Sequence, residues 1–180
     1  TLIGTFRTIV SQWQASSDQR AFRFGVTPEG ALQFIYTSNG DQQQPSAQSA
    51  NGLIVINTQY EVAVDRGDTD VIRLYIDGVM VASVAAGSNV IFNSNQSLKI
   101  GNHDSNSNPF IGRIDDVRIW KGYAFANSDA GYTPENANFD FATDGFAVPF
   151  WPNAGPTGVY SSRTGTLWMV EEGSYVNAAA

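Results

Sequence analysis

Val71-Ile72-Arg73-Leu74-Tyr75-Ile76-Asp77-Gly78-Val79-Met80-Val81-Ala82 is the stretch whose reading decides the fold class. Two runs rich in β-branched residues flank a two-residue Asp-Gly. A type I′ turn needs positive φ at both central positions, which Asp and Gly tolerate, so this stretch predicts a tight antiparallel hairpin. The same pattern repeats outward from it. Residues 60–66 (Tyr-Glu-Val-Ala-Val-Asp-Arg) read as a strand before a Gly67-Asp68 turn. Residues 21–26 and 31–37 form a second pair, joined by Thr27-Pro28-Glu29-Gly30, a turn with Pro and Gly in favourable positions. Leu32, Phe34 and Tyr36 share one face of their strand by period-2 alternation, with Gln33 and Ile35 on the other. Residues 8–13 predict a strand ahead of the polar turn Ser16-Ser17-Asp18-Gln19. Residues 90–92, 98–101, 110–120 and 166–170 predict further ones. Residues 38–52 read as a polar, low-complexity connection, and no helix longer than two turns is expected. Strands at this density, with almost no helix, imply an all-β sandwich or barrel.

At 180 residues the chain suffices for one well-buried domain and is short for two. Hydrophobic residues make up 42%, enough for a real core, while only 15% are charged. The expected surface is therefore neutral-polar, as in many extracellular β-proteins and lectin-like domains. The net charge is −7 and the ten basic residues are scattered, which argues against nucleic acid and against an anionic membrane surface as partners. There is no cysteine, so neither a disulfide framework nor thiolate chemistry is available. For a secreted domain of this size, that leans toward a bacterial or phage origin. No apolar run approaches the roughly 18 residues that span a bilayer. No signal peptide is visible, and a start at Thr1 without Met fits a processed or excised chain.

The residues offer little for catalysis. His103 is the only histidine, so any Ser-His-Asp triad would be built around it, and no nucleophile elbow is present. Glu171-Glu172 and Asp115-Asp116 are adjacent pairs. On a strand their side chains point to opposite faces, the wrong geometry for acid–base work on one substrate. The bland reading of Asp115-Asp116 is a carboxylate bonded to a turn or a nearby arginine. The chain is expected to be no enzyme. Trp13 and Trp120 lie in strand-like segments and are expected in the core, whereas Trp151, between Phe150 and Pro152, suits burial between subunits or exposure.

Several stretches together resemble the laminin-G-like, pentraxin-type jelly roll of the concanavalin A-like class. They are residues 60–66, Arg73-Leu74-Tyr75-Ile76-Asp77-Gly78-Val79-Met80-Val81-Ala82-Ser83, Leu98-Lys99-Ile100-Gly101 and, most clearly, Phe110-Ile111-Gly112-Arg113-Ile114-Asp115-Asp116-Val117-Arg118-Ile119-Trp120. The last is similar to the family's F-x-G-x-I-D-D-V-R-I-W strand. The resemblance covers about residues 5–140 and implies a two-sheet antiparallel jelly-roll sandwich over residues 1–140. The family usually carries a Trp-His pair where this chain has Gln59-Tyr60-Glu61. It also opens with one or two strands ahead of the segment matching residues 5–13, and here nothing supplies them.

After Trp120, Lys121-Gly122-Tyr123-Ala124-Phe125, Tyr132-Thr133-Pro134 and Phe139 resemble the tail that follows this fold in phage structural proteins. Residues 141–180 then form an aromatic, Pro-rich C-terminal arm. It is expected to complete the sheet at the vacant strand position or to contact a neighbour, with Trp151 and Trp168 as assembly residues.

In pentraxin relatives calcium is held by the loop before the F-x-G strand together with an early Asp/Asn loop. The resemblance maps these onto residues 104–108 and onto Asp18-Gln19. The implied rim site comprises Asp18, Gln19, His103, Asp104, Asn106 and Asn108, with Asp18 and Asp104 as weak Ca²⁺ ligands. Affinity tracks ligand charge, and two carboxylates are few. The leading expectation is a virion or cell-surface structural or adhesion module, extracellular or on a virion surface. Its partners would be copies of itself or other surface proteins. A lectin-like, calcium-assisted carbohydrate-binding module is the alternative.

Overall fold

The computed structural model describes residues 4–41, 46–103, 108–122 and 124–134, and beyond them the backbones of three strands. The chain forms two units, residues 1–135 and 136–180. The first contains β1 (Arg7–Gln12), β2 (Phe22–Val26), β3 (Leu32–Tyr36), β4 (Ala47–Gln48), β5 (Val62–Arg66), β6 (Val71–Ile76), β7 (Val79–Ala85) and β8 (Lys99–Ile100). A single 3-10 turn, Ala15–Ser17, follows β1. One sheet runs β4-β3-β2-β1-β8 and the other β5-β6-β7. Every pairing is antiparallel. This is the all-β, two-sheet architecture expected of the concanavalin A-like jelly roll. The second unit contains β9 (Gly158–Ser161), β10 (Leu167–Glu171) and β11 (Ser174–Ala178), an antiparallel meander in which Trp168 stands opposite Tyr160 and Asn177.

Alternation builds the core. Phe24, Val26, Leu32, Phe34, Tyr36 and Ala47 from the five-stranded sheet pack against Ile72, Leu74, Ile76 and Ala86 from or beside the three-stranded one. As alternation predicts, Leu32, Phe34 and Tyr36 share this inner face. Burying one such large apolar side chain contributes roughly 1.5–3 kcal/mol, so these ten residues dominate the driving force. The Tyr36 hydroxyl is satisfied across the sandwich by the Ala86 carbonyl at 3.4 Å. The decisive hairpin forms as expected. Ile76 pairs with Val79, and Asp77 and Gly78 take φ of 49° and 78°.

Several expected strands are not realised. Residues 110–120 form no strand among the described residues. Asp116 sits in the left-handed region (φ 47°), where the Asp115 carboxylate accepts its amide at 3.0 Å, and a backbone so turned cannot continue a ladder. Trp120, expected in the core, is therefore 48% exposed. Residues 90–92 reach the sheet through one bond, from the Phe92 amide to the Thr37 carbonyl, too little for a strand. The expected strands at 98–101 and 60–66 shorten to β8 and β5. Conversely, the connection at 38–52 contains a strand. Ala47 is small enough to be buried, and Ser49 exchanges both backbone and side-chain bonds with Leu32 at 2.9 Å, which holds β4 against β3.

Replacing Gly78 with alanine should lower stability by about 2 kcal/mol or more. The new Cβ would lie 2.1 Å from the Tyr132 carbonyl oxygen at a positive φ. Urea unfolding of the Gly78→Ala chain measures this.

Candidate functional site

The outer face of the three-stranded sheet carries a closed polar knot. Asp65 and Arg73 are cross-strand partners, and Tyr75 follows two residues on, all facing away from the core. The chain at 126–132 folds over them. Asp65 is 7% exposed, and its Oδ2 accepts the amides of Ala126 (3.0 Å) and Asn127 (2.7 Å). The Tyr75 hydroxyl lies 3.3 Å from the same oxygen and 3.1 Å from the Ser128 carbonyl. Burial raises the pKa of Tyr75 and keeps the phenol neutral. Arg73 Nε donates to Asp129 at 2.6 Å, which holds the guanidinium charged. Every charge here has a partner, so the knot fastens 126–132 to the sheet.

At one end of β1 a second arginine organises the rim. Arg20 donates to Asp18 Oδ1 (3.2 Å), Asp41 Oδ1 (2.7 Å) and the Ala15 carbonyl (3.0 Å), tying the 15–18 turn to the 40–41 loop. Gly40 permits this approach, because a Cβ there would meet the Asp18 carbonyl at 2.1 Å. The Asp18 and Asp41 carboxylates remain largely exposed on either side of the guanidinium. Gln19 bonds within the fold, accepting Ser94 Oγ at its carbonyl and the Asn95 amide at Oε1.

Of the other expected rim residues, His103 and Asn108 pack beside the β1 segment. His103 is buried beside Trp13, with ring centres 6.2 Å apart. The Asn108 carbonyl accepts the Thr8 amide, near the opposite end of β1 from Asp18. Asp104, Asn106 and Trp151 lie outside the described residues, and of Trp168 only the backbone is described. Among the described residues no group of three or more His, Cys, Asp or Glu side chains could hold a metal. Asp18 and Asp41 share the positive charge of Arg20, which weakens their pull on a hard cation.

The outer face of the five-stranded sheet holds residues that sequence reasoning did not single out. Ser11 stands opposite Arg23 and Thr8 opposite Gly25, with a bulge at Ile9, so these side chains share the face away from the core. Ile35 and Gln33 continue the rows on β3. The Arg23 guanidinium lies 4.5 Å from the Phe6 ring centre and 5.4 Å from that of Trp13. Desolvation lowers its pKa, yet a guanidinium stays charged at neutral pH. Its Nε and the Thr8 Oγ1 are buried without a hydrogen-bond partner among the described residues. The signal was present in Phe22-Arg23-Phe24, where alternation sends the arginine outward, but no local pattern says what it meets there.

Finally, residues 111–120 present apolar side chains to solvent, with Ile111 73% and Ile119 55% exposed. Trp120 stacks on Phe125 with ring centres 5.2 Å apart, and Asp116 pairs with Arg118 through both carboxylate oxygens. The bland reading of Asp115-Asp116 therefore holds: one carboxylate caps a turn and the other pairs with an arginine.

The sandwich, with its hairpin and core, is matched by sequence. Residues 3–129 fit the laminin G 3 family, described as the concanavalin A-like lectin/glucanases superfamily. The chain belongs to this family. No curated protein and no solved structure matches it. Membership in the concanavalin A-like superfamily establishes the architecture and a family description that spans both lectins and glucanases. Among the described residues no helix is long and apolar enough to cross a membrane.

Asp65→Ala should destabilise the chain by about 2–4 kcal/mol, because two amides lose their acceptor in a buried setting. Asp65→Asn, which keeps one acceptor oxygen, should cost less. Thermal melts of the two variants check the order.

Proposed function

We propose that this concanavalin A-like domain is a non-enzymatic structural or adhesion module, working outside the cell or on a virion surface. It assembles with copies of itself or with other surface proteins. One observation carries the reading: Ile111, Val117, Ile119 and Trp120 stand exposed within ten residues that form no strand. Large apolar side chains exposed in such number along one short segment are a common mark of interaction sites. The neutral-polar composition suits an extracellular setting, and the C-terminal arm adds a second means of contact.

Sedimentation of the full chain over a concentration series tests the reading. Association is expected, and Ile119→Asp combined with Trp120→Ser should weaken it by about tenfold or more, equivalent to about 1.4 kcal/mol. A monomer at every concentration, unchanged by the double substitution, would overturn self-assembly.

A second reading, a lectin-like module, is supported by the exposed Asp18 and Asp41 carboxylates that Arg20 holds side by side at the rim. A glycan array probed with and without Ca²⁺ should then show calcium-enhanced binding that Asp18→Ala removes. An array blank under both conditions would eliminate it.

A further inference from the structure

The three-stranded sheet ends on an edge with little protection. Four strands border the two sheets of the first unit: β4, β8, β5 and β7. A bare row of backbone donors and acceptors is a template for another strand, so edges are normally kept short or charged. β4 and β8 have two residues each, and β5 ends in Asp65-Arg66. β7 has neither device. It runs seven residues, Val79-Met80-Val81-Ala82-Ser83-Val84-Ala85, without charge or proline. From Gly78 to Leu98 the chain has no acidic or basic residue at all. One bulge at Val81 interrupts the ladder, and beyond it residues 82–85 pair regularly with residues 74–71.

The hydrogen-bond pattern fixes which backbone groups are open. On the β5 side of β6, the Val71 carbonyl accepts the Gly67 amide at 3.2 Å, and the Asp77 amide donates to the Glu61 carbonyl at 2.8 Å. Backbone groups alternate sides along a strand, so those of Val71, Arg73 and Tyr75 turn toward β5 and away from β7. Opposite them on β7 stand Ala85, Ser83 and Met80. The amides and carbonyls of these three therefore point out of the sheet. Among the described residues, no backbone bond outside the β6–β7 ladder reaches them. Val79, at the start of the edge, is 64% exposed, and Ser83 stands on the outer face in water.

We infer that β7 is a self-pairing edge. It pairs antiparallel with β7 of a second copy across a two-fold axis, joining two three-stranded sheets into one of six. This rests on the assembly reading above and gives it a second surface, distinct from residues 111–120. Two arguments make the occupant a second copy. An antiparallel pair of identical strands is closed, so both open rows are satisfied at once. At a net charge of −7 the copies repel one another over most of their surface, and the uncharged stretch 78–98 is where they approach. A strand of this length spans only about 24 Å. The buried area is therefore below the roughly 800 Å² per partner of a standard interface, and micromolar association is expected.

The test is residue-resolved amide hydrogen exchange of the full chain over a concentration series, read beside sedimentation. Protection of the Met80, Ser83 and Ala85 amides should rise with concentration, in step with association. Ser83→Pro removes a donor that β6 does not use, so the fold should persist while association weakens by about tenfold or more. Ser83→Ala, which keeps the amide, should leave association unchanged. Association while these three amides stay unprotected in the unaltered chain would overturn the edge and leave the assembly reading standing, as would association that survives Ser83→Pro. A monomer at every concentration would overturn both. Protection already complete at the lowest concentration would mean that a segment of the same chain covers β7, and would overturn the second copy.

Discussion

Side-chain alternation along β2, β3 and β6 is the constraint that the rest of the first unit obeys. Successive residues on these strands point to opposite faces, so Phe24, Phe34 and Tyr36 can meet Ile72 and Leu74 only if Arg23, Ile35, Arg73 and Tyr75 face outward. A slip of one residue would drive two guanidinium groups into the core, where charge is prohibitively costly without a partner. Register and core are thus one decision. The functional possibilities are its remainder, written on the two outer faces.

Those two faces have been resolved differently. Over β5–β6, the 126–132 segment brings two amides and an acid to Asp65, Tyr75 and Arg73, so that every buried charge is answered locally. Over β1–β2, Asn102, Asn108 and Pro109 contribute backbone carbonyls to Ser11, Thr8 and Arg7 and His103 lies beside Trp13, while Arg23 lies against rings and, among the described residues, meets no acid. A satisfied face rigidifies the fold.

The edge at 110–120 follows from the same hydrogen-bond accounting. Its sequence has the composition of a strand and resembles one in the family, yet Asp116 turns left-handed and Ile111, Ile119 and Trp120 remain in water. Strand propensity expresses itself only when a neighbouring backbone offers donors and acceptors, and among the described residues that contact stops at the bond from the Phe110 amide to the Gly101 carbonyl. These exposed apolar side chains are what the proposed assembly role rests on.

From sequence alone, the Asp77-Gly78 hairpin, the inner face of β3 and the sandwich class were legible, because each is set by local chemistry: positive φ at two residues and a period of two. The family resemblance at residues 60–120 was legible for the same reason, as a run of such local patterns. The rim was legible only in part. Asp18 and Gln19 sit on a turn as expected, but the bonds of Arg20 to Asp41 and of Ser94 to Gln19 join residues 21 and 75 positions apart and depend on loops meeting in space. Whether Phe110 to Trp120 would pair, whether Ala47 would close an edge, and whether Arg23 would find an acid were decided by tertiary structure. Each depends on what the fold places opposite a residue, and no property of the residue or its neighbours in the chain encodes that.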